Sequence, residues 1–379
     1  MNREMNVVKL SIVLVLVTLL GLGTGCSKKS NGNPVGPGTA PYLTTSSDAV
    51  VQSYGGCLYV MERNNGVIKR FSSQSLEAGP GSYIAASTQT STYSEGSTAL
   101  VKAGDSVPRV NLRAEADYSI NVGSYSNPQD IAFASATKAF VSRYAALYLL
   151  VLNPATGRLT DSISLATYVN AKTDVVPFMG KMALAGDHLL LILQRMKRDA
   201  SGNYAYGDTS LILSINAVTN AIEKAIPLKY YNPQDIKVTA GKVYVSCVGS
   251  WYALDGGIEV IDSATLAYED TLINETAFGG NIGAFALASG TKGYMSVMNS
   301  SWITDIFPFN PSSKTVAPKL SYVTDGFGGI IYDGTYVYIG ERGMHSAGIV
   351  VVNPSDDAKV RGPIDLALLP VSLSLLIVP

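Results

Sequence analysis

The chain is poor in the residues that carry most enzyme chemistry: two histidines, three cysteines and two tryptophans in 379 residues, of which 15% are charged. His188 and His345 stand alone in Gly186-Asp187-His188 and Gly343-Met344-His345-Ser346. Neither has a zinc-type spacing, and both read as loop residues. The absence of Cys-x-x-Cys-His excludes c-type haem attachment. No glycine-rich loop follows a strand and opens a helix, which argues against nucleotide chemistry. A net charge of −1 gives no electrostatic case for nucleic acid. The sequence calls for no metal and no cofactor.

The N-terminus is organised for export. Arg3 and Lys9 precede the apolar run Leu10 to Leu20, the order of a secretory signal, and the run is shorter than the about 20 residues of a membrane span. Gly21-Leu22-Gly23-Thr24-Gly25 then leads into Cys26 and the polar Ser27-Lys28-Lys29-Ser30. This arrangement resembles a bacterial lipoprotein signal, which implies that Cys26 is lipidated and that the protein is extracytoplasmic, held to a membrane by its anchor. Ser27 after the cysteine resembles the outer-membrane sorting pattern, so the outer membrane or cell surface is the expected location. Each buried acyl methylene contributes about 0.8 kcal/mol, so several chains hold a soluble domain firmly. The expected organisation is a signal at 1–25, a Gly/Pro-rich flexible linker at 26–47 and one folded domain at 48–379.

That domain repeats itself. Asn127-Pro128-Gln129-Asp130-Ile131 and Asn232-Pro233-Gln234-Asp235-Ile236 are each followed by a matching strand, Lys138-Ala-Phe-Val-Ser142 and Lys242-Val-Tyr-Val-Ser246. A third apolar strand ends in a turn at Asn153-Pro-Ala-Thr-Gly157 or Asp262-Ser-Ala-Thr265, and a fourth closes each unit. Four short strands per unit of about 40–55 residues is the content of a β-propeller blade. Weaker copies occur at Met182 to Leu228, Gly283 to Leu320 and Gly329 to Leu368, and the first unit starts near Ala49. The expected fold is all-β, a propeller of four-stranded antiparallel blades, with six blades counted. Residues 82–126, rich in Ser, Thr, Gly and Ala, read as an insertion on the first unit, with a seventh, degenerate blade as the alternative. Pro370 to Pro379 resembles a lone first strand that pairs with the N-terminal blade and closes the ring. Cys57 and Cys247 lie in strands far apart in the repeat, which favours buried free thiols over a disulfide.

The strands Lys-Ala-Phe-Val-Ser and Lys-Val-Tyr-Val-Ser, followed by Ile-Glu-Val-Ile-Asp-Ser-Ala-Thr, resemble the YVTN-type β-propeller repeats of bacterial cell-surface proteins and lipoproteins. The resemblance implies the fold and no particular reaction. Where the motif has asparagine, this chain has Arg143 and Cys247, so no binding residue carries over.

Antiparallel pairing places the start of each first strand and the end of each second strand on one face of the disc. Asp130 and Asp235 share that face with Glu62, Arg63, Arg143, Gln194, Arg195, Met298, Asn299, Glu341 and Arg342, with Asp130 about opposite Arg143; Asp130, Arg143, Arg195, Asp235, Glu341 and Arg342 are the candidate ligand residues. They read either as ladder-end ion pairs and turn caps or as a ring around the channel mouth, where guanidinium groups suit carboxylate, phosphate or acidic glycan. The functional expectation is a membrane-tethered module that binds or scaffolds an exported protein, a glycan or a small anionic ligand. The alternative is a propeller enzyme, a lactonase-like hydrolase or a quinone-dependent dehydrogenase, with its chemistry in the channel. No catalytic set with a diagnostic spacing supports it.

Overall fold

The computed structural model describes residues 43–45, 49–89, 96–103, 108–109, 115–169, 176–198, 204–205, 209–327, 329–343, 347–366 and 368–379. Cys26 with its signal and most of the linker, and His345, lie outside them. Within them the chain forms seven four-stranded antiparallel blades around an axis, with a small hairpin off blade 3. Blade 1 is built from Ala49–Tyr54, Cys57–Glu62, Val67–Ser72 and Tyr118–Asn121. Blade 2 begins at Pro128–Ser135, blade 3 at Met179–Ala185, blade 4 at Pro233–Thr239, blade 5 at Asn281–Ser289 and blade 6 at Ile330–Tyr332. These first strands line the axis, and each packs beside the next.

The core is divided into seven apolar clusters, one between each pair of neighbouring blades. Strand His188–Leu193 shows why its sequence is continuously apolar. Leu189, Leu191 and Leu193 pack against blade 2, while Leu190 and Ile192 pack against blade 4. A strand buried on both faces loses the usual alternation of apolar and polar residues. Cys57 and Cys247 are free and buried, and burial pushes both thiols above their ordinary range.

The blade count is seven, not six. Blade 7 has no contiguous sequence of its own, because three separate segments assemble it. Its inner strand is the C-terminal Leu369–Val378, its middle strands are Gly81–Gln89 and Gly96–Lys102, and its outer strand is Leu43–Thr45. The middle hairpin leaves blade 1 between that blade's third and fourth strands, so the insertion and the seventh blade are the same residues. The C-terminal strand pairs with this hairpin, with Leu375 opposite Ile84, and lies beside the N-terminal blade outside its ladder, bonded to it through the Ser372 and Ser374 hydroxyls, which reach the Val51 amide and Ser53.

Between blades 4 and 5 the short 3-10 turn Glu275–Ala277 places a fully buried carboxylate. Glu275 accepts hydrogen bonds from the amides of Gly256, at 3.1 Å, and Ile282, at 2.9 Å, and from the Asn281 side chain. Burial nevertheless lifts its carboxyl from the ordinary 4.5 to about 7. The folded state therefore keeps this proton in a window where the unfolded chain has released it, and the group's contribution to stability falls as pH rises through that window. The unfolding free energy of the wild type relative to Glu275→Gln should decline from about pH 4.5 to about pH 7 and level off above it. Urea titrations across this range check it; a difference independent of pH would contradict the assignment.

Candidate functional site

The first strands enclose an axial cavity of about 420 Å³ that opens on the face where those strands begin. This volume lies within the about 300–1,000 Å³ of small-ligand sites. The repeated Asn-Pro-Gln-Asp-Ile segments build part of its wall. Asn127 and Asn232 adopt positive φ, 53° and 57°, which asparagine tolerates better than most residues. Proline then opens the strand, and the Gln129 and Gln234 amides bond back to the asparagine Oδ1 at 2.7 and 2.6 Å.

The two aspartates hold neighbouring blades together. Asp130 Oδ1 accepts from its own neighbour Ile131, at 3.0 Å, and from Gln52 of blade 1, at 2.7 Å, while Oδ2 accepts from the Met182 amide of blade 3 at 2.9 Å. Asp235 accepts from its own neighbour Ile236, at 3.0 Å, and from the Phe285 amide of blade 5, at 3.4 Å. In both receiving strands the register shifts just before the bonded amide, between Met179 and Met182 and between Ile282 and Phe285. The carboxylate thus satisfies an amide near a bulge, where the ladder is interrupted. Glycine sits in each bulge, and a Cβ on Gly283 would stand 2.9 Å from Ser296 Oγ.

Of the six candidate ligand residues Asp130 and Asp235 line the cavity, and of the others expected on that face Arg63 and Met298 do so. Asp130 is opposite Ser142, and a register shift puts Arg143 opposite Pro128, so the expected Asp130–Arg143 alignment does not form. Arg143 instead donates to the carbonyls of Val122, at 2.6 Å, and Tyr148, at 2.8 Å, and burial lowers the pKa of its guanidinium. Arg195 donates to the carbonyls of Tyr168, at 3.0 Å, and Thr209, at 2.8 Å. Glu341 is fully buried and accepts from the amides of Thr324, Asp325 and Gly343 and from the Thr324 hydroxyl. Arg342 lies 4.6 Å over the Phe327 ring at the mouth. His188 opens a strand and pairs with Glu223 at 2.8 Å.

Other residues complete the cavity. Arg63, Lys181 and Lys237 bring positive charge to it. The Lys181 ammonium is 3.4 Å from the Gln129 carbonyl, and that of Lys237 is 3.1 Å from the Asp235 carboxylate. Gln52, Asn281, Ser296 and Ser372 add amides and hydroxyls, and Trp251, Met298 and Phe327 add apolar surface. The lysines were legible only as charged residues within inner strands. Trp251 carried a clearer signal: the chain's two tryptophans occupy equivalent connections, between the second and third strands of blades 4 and 5. Among the described residues, no group of three or more His, Cys, Asp or Glu side chains is placed to hold a metal ion.

No protein-family profile matches the chain, and no curated protein matches it in sequence. Solved structures do. Hydrazine synthase of Kuenenia stuttgartiensis superposes with a TM-score of 0.56 at 11% identity, over 86% of this chain and 81% of that one. The Cps50 (Swd1) β-propeller domain of Myceliophteria thermophila superposes with a TM-score of 0.52 at 10% identity, over 84% of this chain and 86% of that one. At such identities the likeness is one of fold, and the chain is similar to proteins that share the β-propeller architecture.

Proposed function

We propose that this chain is an exported bacterial lipoprotein, tethered through Cys26 at the outer membrane or cell surface, whose propeller binds a ligand in the axial cavity. The observation that carries the binding reading is the charge balance at the axis. Arg63, Lys181 and Lys237 line the cavity against Asp130 and Asp235, whose carboxylates also bond to backbone amides of neighbouring blades, and Lys237 keeps ammonium donors beyond the one on Asp235. The balance favours an anionic group. The likeness of the blade motifs to YVTN-type repeats of cell-surface proteins supports the exported setting.

The direction of the outer strand of blade 7 supports a workable orientation. Thr45 pairs with Gly96, at the mouth end of that blade, and Leu43 pairs with Thr98 further down. The chain therefore enters the ring running toward the mouth face, which suits an anchor on the opposite side and a cavity turned away from the membrane.

Metabolic labelling with a tagged fatty acid should mark the wild-type protein and spare Cys26→Ala; equal labelling of both would remove the tether. For binding, calorimetry against anionic glycans, dicarboxylates and acidic exported proteins is paired with thermal melting. Lys181→Gln and Lys237→Gln should each weaken an anionic ligand by about 1.5–3 kcal/mol, the scale of a hydrogen bond to a charged group, with little change in Tm. Arg143→Ala should lower stability by about 1–3 kcal/mol through its lost carbonyl bonds and leave affinity unchanged. The opposite pattern would move the site away from the axis.

A further inference from the structure

Large apolar side chains are exposed on one sector of the mouth face. Trp251 is 37% exposed, Tyr252 49%, Trp302 45% and Phe327 46%. Tyr252 and Trp302 form an edge-on pair with ring centroids 5.2 Å apart, bridging the equivalent loops of blades 4 and 5. Trp251 and Phe327 belong to the cavity lining, and Trp251 adjoins Tyr252 of the ledge in the chain.

Both loops are held in place by their own hydrogen bonds. In blade 4, Ser250 donates to Asp255 Oδ1 at 2.7 Å, and the Asn281 side chain bridges the Tyr252 amide, at 2.9 Å, and the Ala253 carbonyl, at 2.8 Å. Gly249 permits the tight start of the loop, with φ of 67° and no room for a Cβ beside Asp255. In blade 5, Asn299 Oδ1 accepts from the Ser301 and Ile303 amides at 2.9 and 3.3 Å. Aromatic rings fixed in water on ordered loops lose little conformational entropy when something covers them, which is the physical character of a binding hot spot.

We infer that the ligand is an acidic oligosaccharide, with a uronate carboxylate against Lys181 and Lys237 and sugar ring faces on Trp251 and the Tyr252–Trp302 ledge. The inference rests on the axial cavity being the binding site. A pyranose offers C–H groups on its ring face, which suit the electron-rich face of indole, and hydroxyls at its edge, which suit the Gln52 and Ser296 side chains. The cavity lies toward the lower end of the range for ligand sites, so it accepts the chain end while further sugars lie along the exposed rings.

The test is calorimetry of the mature chain with trigalacturonate, neutral galactotriose and triglutamate. Trigalacturonate should bind about tenfold more tightly than galactotriose, and the double variant Lys181→Gln/Lys237→Gln should erase that preference. Trp251→Ala should weaken both sugars by about tenfold, and Trp251→Phe should restore most of the loss. Far-UV circular dichroism and melting curves matching the wild type guard against misfolded variants. Triglutamate binding that depends on the lysines, without trigalacturonate binding, would overturn the sugar assignment and leave the axial site standing. Trigalacturonate binding insensitive to all these variants would overturn it as well. No binding by any of the three, together with failure of the wider anionic panel, would overturn both readings.

Discussion

Every blade of this protein is apolar on both faces, and the rest of the structure follows from that constraint. A half-polar sheet can end in water, but a sheet such as that of blade 3, with Leu189, Leu191 and Leu193 facing one way and Leu190 and Ile192 the other, needs a neighbour on each side. Satisfying the requirement for all blades leaves a closed ring as the solution, and a closed ring must be completed somewhere. Here the completion falls on blade 7, where the C-terminal strand, a hairpin lent by blade 1 and the strand Leu43–Thr45 meet. The two ends of the chain and one internal excursion are thereby fastened into a single sheet, and the clusters on either side of it, against blades 6 and 1, are as well buried as the others.

Closure also decides which charges remain for function. Seven inner strands converging on an axis crowd one another, and bulges relieve the crowding at the cost of unpaired backbone amides. Asp130 and Asp235 satisfy such amides across blade boundaries, and Glu275 and Glu341 do comparable work in the loops. The open space at the axis is lined by these two aspartates together with Arg63, Lys181 and Lys237, by the Gln52 and Ser296 side chains and by the rings of Trp251 and Phe327.

The repeat was legible because the Asn-Pro-Gln-Asp-Ile segment performs several local tasks in sequence: a positive-φ turn at asparagine, a strand start at proline, an inter-blade bond at aspartate and a core contact at isoleucine. Blade 7 was not legible as a unit, since no stretch of sequence contains it and its strands pair across most of the chain length. Antiparallel geometry places the starts of the first strands and the ends of the second strands on one face, but it does not say what each charge there bonds to. A shift in register next to Arg143 moved it from Asp130 to the carbonyls of Val122 and Tyr148, and such irregularities leave no periodic mark. Lys181 and Lys237 carry no mark in the sequence for a related reason: they look like ordinary polar positions of half-exposed strands, and only convergence on the axis sets them apart.

The dependence of the whole ring on its composite blade is tested most directly by hydrogen exchange, read by mass spectrometry on the mature chain under native conditions. If closure governs stability, amides of Leu369–Val378 and Gly81–Gln89 exchange as slowly as those of His188–Leu193, and all three are released together as denaturant approaches the unfolding midpoint. Rapid exchange of the C-terminal strand while blades 2 to 5 remain protected would show a ring that stands without its closure, and would contradict the account.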